Sequence, residues 1–223
     1  MELSAIAAVI QHTNVSPTAT DRDMARLCAD AREFSFNGVM VQPCWIGLCR
    51  RLLDGTSIKV CSAMAYPMGG SLTRSKVAEM RHLVEEGVDE IDFMPNLGLL
   101  LSGDEAGFIS EIAQIVAAAG GRPVKAMLEL ETLSSDERRA AVLAAEAAGC
   151  AYVKNSSGWG IGGKATAELI RFMSATATSA KVKASGGIRT KQDAEDILTA
   201  GAVLLGTSAG PSIMRGAAGS AAY

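Results

Sequence analysis

Eight short apolar runs, each followed by an amphipathic helical stretch, recur along the 223-residue chain. They occupy residues 5–11, 38–42, 58–64, 90–94, 124–129, 151–154, 181–184 and 202–205. Most hold four to seven residues and are rich in Val, Ile, Leu and Ala. They lack clean polar alternation, as expected of parallel strands covered on both faces. Between them, Met24, Leu27, Cys28 and Ala31 fall on one helix face. Thr20 with Asp23, Ser134 with Glu137, and Thr190 with Asp193 read as helix starts. Gly87, Gly149 and Gly201 read as left-handed helix ends, with Gly38 and Gly120-Gly121 at similar joints. Eight such units predict a closed (β/α)8 TIM barrel in a single domain spanning residues 1–223. The rival is an open doubly wound sheet, which usually carries Gly-x-Gly-x-x-Gly after its first strand. Here the first run leads into Gln11-His12-Thr13-Asn14, without glycine.

Composition narrows the function. Hydrophobic residues make up 48% of the chain, enough for a sizeable core. A formal net charge of -3 without a basic block argues against nucleic acid as partner. No apolar run approaches the roughly 18 residues of a membrane span. The start, Met1-Glu2-Leu3-Ser4-Ala5, lacks the cationic opening of a signal peptide. The five cysteines, Cys28, Cys44, Cys49, Cys61 and Cys150, are odd in number and form no Cys-x-x-Cys pair. They read as reduced core thiols of a cytoplasmic protein. With His12 and His82 they show no zinc-site spacing, so neither metal nor cofactor is expected.

In a barrel the chemistry collects at the C-terminal strand ends. Two lysines stand there, Lys154 before Asn155-Ser156-Ser157-Gly158 and Lys183 before Ala184-Ser185-Gly186-Gly187. Asp92 sits in the fourth run. Alone, each has a bland reading: a snorkelling lysine, or a turn aspartate. Together they predict two amines and a carboxylate at one mouth. Lowering a lysine from about 10.4 to about 7 needs on the order of 4 kcal/mol. A second ammonium at about 5 Å supplies about 3 kcal/mol at an effective dielectric near 20. Partial desolvation covers the rest. Lys59, Lys125 and Lys181 lie nearer strand starts or middles and read as stems packed along strands, or charges at the opposite rim. Gly186, Gly187 and Arg189 after the seventh run, and Gly206 and Ser208 after the eighth, suit a phosphate cradle of backbone N–H groups.

These motifs resemble those of the deoxyribose-phosphate aldolases. Residues 153–158, Val-Lys-Asn-Ser-Ser-Gly, resemble the family's V-K-T-S-T-G, and residues 182–189 match its V-K-A-S-G-G-I-R. Asp89-Glu90-Ile91-Asp92 with Asn96 and Gly98 resembles its D-E-I-D…N-x-G segment. His12-Thr13 and Gly206-Thr207-Ser208 fall in matching order. The resemblance implies a metal-free class I aldolase that reversibly cleaves 2-deoxy-D-ribose 5-phosphate to D-glyceraldehyde 3-phosphate and acetaldehyde. It implies Lys154 as Schiff-base lysine, Lys183 as the amine that lowers its pKa, and Asp92 as proton-transfer carboxylate. Gly158, Gly186, Gly187, Arg189, Gly206 and Ser208 would hold phosphate. A flexible tail ending in Tyr223 would aid proton transfer, and a homo-oligomer is implied. Departures are Gln11 where the family commonly has Asp, Asn155 and Leu130 where it has Thr, Ala209 where a second Ser is common, and the large Trp159. Two alternatives stay open: a related lysine aldolase acting on another or a non-phosphorylated substrate, and a silent barrel that binds a phosphorylated metabolite.

Overall fold

The computed structural model describes residues 1–159 and 163–216. Its eight strands are β1 (Ile10–Asn14), β2 (Gly38–Val41), β3 (Lys59–Met64), β4 (Glu90–Phe93), β5 (Val124–Met127), β6 (Tyr152–Lys154), β7 (Lys181–Ser185) and β8 (Leu204–Thr207). They pair in chain order, all parallel, and β8 closes on β1. The predicted (β/α)8 barrel is therefore present. Its main helices are α2 (Asp21–Phe34), α4 (Thr73–Glu85), α6 (Glu105–Ala118), α7 (Ser135–Ala147), α8 (Ala167–Thr176) and α9 (Lys191–Thr199); shorter ones are α1 (Leu3–Ala7), α3 (Ile46–Leu52), α5 (Leu97–Leu101) and α10 (Gly210–Met214). None of the described helices is long and apolar enough to cross a membrane.

The strands do alternate, on a period of two. Val39, Ile91, Val124, Val153, Val182 and Leu205 face outward into one continuous core shared with the helices. At about 1.5–3 kcal/mol per buried aliphatic side chain, that shell carries most of the stabilisation. The next residue on each strand turns inward. Met40 and Cys61 do so within a small separate apolar cluster. Gln11, Asp92, Lys125 and Lys183 do so as buried polar groups.

All three expected helix starts are reciprocal capping boxes: Thr20 with Asp23, Ser134 with Glu137, and Thr190 with Asp193. Each is worth about 1 kcal/mol. Gly87, Gly149 and Gly201 take positive φ as expected, and so do Gly120 and Gly121. Gly38 is different. The left-handed end of α2 is Ser35, at φ 54°, and Gly38 is the first residue of β2. A Cβ there would lie 2.7 Å from the Lys59 carbonyl oxygen, so close strand packing demands the glycine. The first expected strand, residues 5–11, is also corrected. Its alanine-rich start is α1, and β1 begins at Ile10. A four-residue apolar run fits either period, and alanine favours helix. Four cysteines are buried, but Cys44 is exposed on the turn after β2 rather than in the core.

Candidate active site

Asp92 is the hub of the barrel interior. It is fully buried on β4. Its Oδ2 lies 2.7 Å from Lys183 Nζ on β7 and 3.0 Å from Lys154 Nζ on β6. Its Oδ1 lies 3.2 Å from Lys125 Nζ on β5. Strand register produces this convergence, because Lys154 pairs directly with Lys183 and Asp92 with Lys125. The predicted meeting of Asp92, Lys154 and Lys183 is thus found. Lys125 differs from its expected place. It is fully buried in the interior and also stands 2.8 Å from Glu90 Oε2. Its contacts are ion pairs whose angles fall short of hydrogen bonds. Lys59, half-exposed at the opposite rim, pairs with Glu90 Oε1, and Lys181 is exposed, both as expected.

Gln11 fills the remaining gap on β1. Its Oε1 accepts from Lys183 Nζ, and its Nε2 donates to Glu90 Oε2 at 2.9 Å and to Asn37 Oδ1 at 3.1 Å. Lys183 reaches β1 across β8, where Gly206 stands opposite Gln11. A Cβ on Gly206 would sit 3.4 Å from Lys183 Cε and 3.3 Å from Ser185 Cβ, so the glycine keeps that passage open.

Charge follows from this crowding. Burial alone would raise the Asp92 carboxyl, but the Lys183, Lys154 and Lys125 ammonium groups hold it well below the usual carboxylate range. Burial likewise opposes the ionised Glu90, and Lys125, Lys59 and Gln11 outweigh it, leaving a pKa of about 2. Burial also opposes the charged form of Lys125, but the Asp92 and Glu90 carboxylates hold its pKa above the ordinary lysine value. For Lys183 the balance reverses. Burial dominates, Lys125 and Lys154 add repulsion, and despite Asp92 the amine is pulled down to about 8.

Access separates the three amines. Lys154 lines a cavity of about 120 Å³ at the C-terminal mouth, together with Ser157, Gly158, Gly186, Gly187, Arg189, Gly206 and Ser208. Lys125 and Lys183 lie beneath it with no exposed surface. All six residues expected to hold phosphate therefore line the cavity onto which Lys154 opens. Gly186 and Gly187 have φ of 92° and 76°. A Cβ on Gly186 would be 2.8 Å from Gly163 O, and one on Gly187 would be 3.0 Å from Lys164 Cγ. Conformation demands glycine at both positions, and the backbone contact demands it at Gly186 as well. A larger cavity, about 370 Å³, adjoins this one through Thr13 and Ser208 and is walled by His12 and Asp30, 3.5 Å apart.

The turns that aim Lys154 are tied from three sides. Asn155 Nδ2 donates to Ser185 O at 3.0 Å and its Oδ1 accepts from Ser185 N at 2.8 Å, locking β6 to β7. The Glu129 carboxylate accepts from Ser157 N, and Glu129 itself takes a left-handed φ of 43°. Tyr66 donates through its hydroxyl to Ser157 O at 3.3 Å and meets Trp159 edge-on, so the large Trp159 forms an aromatic wall with it. Ala209 N donates to Thr207 Oγ1 at 3.0 Å, inside its own loop. Tyr223 and the tail expected to carry it lie outside the described residues. Among those residues no three His, Cys, Asp or Glu side chains are grouped to hold a metal ion.

Reading strand ends alone missed Lys125 and Glu90. Both alternate with outward apolar neighbours, Val124 and Ile91, and that period was the available signal.

Comparison with known proteins agrees with this geometry. A deoxyribose-phosphate aldolase from Thermotoga maritima is 40% identical over 212 residues, covering 95% of this chain and 85% of that one. One from Methanocella arvoryzae is 39% identical over 225 residues and covers both chains fully. The solved deoxyribose phosphate aldolase from Aeropyrum pernix, described as having a unique tetrameric structure, superposes with a TM-score of 0.89 at 28% identity, over 96% of this chain and 91% of that one. The family model described as DeoC/LacD family aldolase matches residues 4–216. With its barrel, its motifs and its relatives in agreement, the chain belongs to the DeoC/LacD family of aldolases.

Proposed function

We propose that this aldolase reversibly cleaves 2-deoxy-D-ribose 5-phosphate to D-glyceraldehyde 3-phosphate and acetaldehyde through a Schiff base on Lys154. One observation carries the assignment: of the three amines around Asp92, Lys154 alone opens on the cavity rimmed by the glycine loops. The free amine of Lys154 attacks the C1 aldehyde of the open-chain sugar. Loss of water leaves a protonated imine. That cation draws electrons from the C2–C3 bond as the C3 hydroxyl gives up its proton. D-Glyceraldehyde 3-phosphate departs and an enamine remains. Protonation of the enamine and return of water release acetaldehyde and restore the amine.

Asp92 and Lys183 carry protons between these steps. Lys183, pulled down to about 8 by burial, exchanges a proton near neutral pH. Gly158, Gly186, Gly187, Gly206, Ser208 and Arg189 hold the terminal phosphate. Tyr223 assists proton transfer from the tail. The whole chain works as one domain within a cytoplasmic homo-oligomer. The tetramer described for the Aeropyrum pernix relative supports the last point.

The test is chemical trapping. Protein incubated with acetaldehyde or with the sugar phosphate is treated with borohydride, and the adduct is mapped by mass spectrometry. A reduced adduct on Lys154, absent from Lys154→Ala, supports the mechanism. Labelling elsewhere, or none while turnover persists, would overturn it. Turnover of deoxyribose with and without the 5-phosphate separates this reading from a non-phosphorylated substrate; equal rates would count against phosphate recognition.

A further inference from the structure

The buried polar groups form a closed circuit of five side chains. Asp92 Oδ2 meets Lys183 at 2.7 Å, and Lys183 donates to Gln11 Oε1. Gln11 Nε2 donates to Glu90 Oε2 at 2.9 Å, and Glu90 Oε2 meets Lys125 at 2.8 Å. Lys125 returns to Asp92 Oδ1 at 3.2 Å. All five residues are at most 1% exposed. Gln11 is the one member without charge. Its two ends face opposite demands, an ammonium on one side and a carboxylate on the other. A primary amide satisfies both, with an acceptor oxygen towards Lys183 and donors towards Glu90 and Asn37. Those partners also settle which way the amide points. With both lysines protonated the circuit is formally neutral.

We propose that Gln11 is a positioning residue: it anchors Lys183 at the end of the circuit and, by being uncharged, leaves Asp92 as the sole carboxylate among the described residues touching that amine, so that Lys183 releases and regains a proton readily. As a statement about turnover this rests on the aldolase reading; as a statement about Lys183 it does not. The charged and titratable groups that act on Lys183 are Asp92 from β4, Lys125 from β5, Lys154 from β6 and the Cys61 thiol from β3. Burial keeps that thiol neutral by pushing it up to about 12. β8 presents Gly206 and adds no charge. A carboxylate at position 11 would be a second anion against Lys183 and would face Glu90 where Gln11 now donates. An opposite charge this close raises a lysine by about 1–3 pKa units.

The experiment titrates Lys183 by NMR in protein carrying 13Cε-lysine, with the signal assigned by its loss in Lys183→Met. Wild type, Gln11→Glu and Gln11→Met are compared, alongside the pH profile of kcat/KM. Gln11→Glu should move the Lys183 midpoint, and the rising limb of the profile, up by about 1–3 units. Gln11→Met, which removes the acceptor without adding charge, should move the midpoint down. Identical midpoints in the three proteins, or the reverse order, would overturn the proposal. If Gln11→Glu fails to fold, wild type against Gln11→Met decides, and an unchanged midpoint overturns it. Shifted midpoints without borohydride trapping would sink the aldolase reading alone. Trapping on Lys154 with unmoved midpoints would sink this one alone.

Discussion

Replacing Asp92 with Asn keeps the shape of the hub and removes its charge. The Asn oxygen can take the place of Oδ2 between Lys154 and Lys183. Its amide nitrogen then faces the Lys125 ammonium, where 3.2 Å now separates opposite charges, and two donors oppose each other. Deleting one partner of a buried ion pair costs about 3–5 kcal/mol. The cheapest response is release of the Lys183 proton, because burial draws that amine from its ordinary 10.5 to about 8 even beside Asp92. In the wild type, the penalty for burying charged Lys183 is fully present below about pH 8 and is relieved as pH climbs towards about 10.5. From about pH 7 to about pH 9.5 that relief is about 2 kcal/mol. In the variant the amine is already neutral at pH 7, so relief runs over the whole interval and reaches about 3 kcal/mol. The variant should therefore be about 3–5 kcal/mol less stable near pH 7, and the deficit should shrink by about 1 kcal/mol near pH 9.5. Urea unfolding followed by circular dichroism at both pH values measures this. A deficit under about 1 kcal/mol near pH 7, or one that grows with pH, would refute the electrostatic account.

Glu90→Gln acts at the other end of the pH scale. Glu90 is held at about 2, chiefly by Lys125 against burial. The stability this confers, about 3 kcal/mol, is complete above about pH 4.5 and lost as pH falls through about 2. The variant should be weaker at neutral pH and converge on the wild type in acid unfolding curves. Arg189→Ala should raise KM for deoxyribose 5-phosphate by about tenfold or more, the worth of a charge-assisted phosphate contact, with little change for deoxyribose. Equal effects on both sugars would remove Arg189 from the phosphate site.

Much of the fold was legible because it depends on local rules. Thr20-Asp23, Ser134-Glu137 and Thr190-Asp193 each announce a helix start within four residues, and each is a capping box. The run at residues 5–11 was misread because Ala5-Ile6-Ala7-Ala8 has no period of its own, and tertiary packing decides it. The site was legible where chemistry is rare for its place. Lys154 and Lys183 end apolar strands, and register sets them side by side. Lys125 was not legible by position along its strand, because its meaning lies in which way it points. Paired with Asp92 across the β4–β5 ladder, it faces inward and becomes a third amine of the hub. Gln11 was noticed as a lost charge; its three hydrogen bonds belong to residues 26, 79 and 172 positions away, beyond any local pattern.

Those long separations explain why the interior can be so costly. Buried ion pairs seldom stabilise a fold relative to well-packed hydrophobic residues. Here Asp92, Glu90, Lys125 and Lys183 occupy positions that apolar side chains could fill, while the outward residue preceding each, Ile91, Asp89, Val124 and Val182, belongs to a different layer. Three of those four neighbours, Ile91, Val124 and Val182, lie in the continuous core against the helices. The exception is instructive: the Asp89 carboxylate accepts from Val60 N at 2.7 Å and pairs with Arg50, pinning the start of β4 so that Glu90 and Asp92 enter the barrel in register. Stability and chemistry are thus divided by the two-residue period of the strand. The outer face can hold the barrel closed while the inner face keeps Lys183 poised near neutrality, and a change such as Asp92→Asn should disturb the second far more than it rearranges the first.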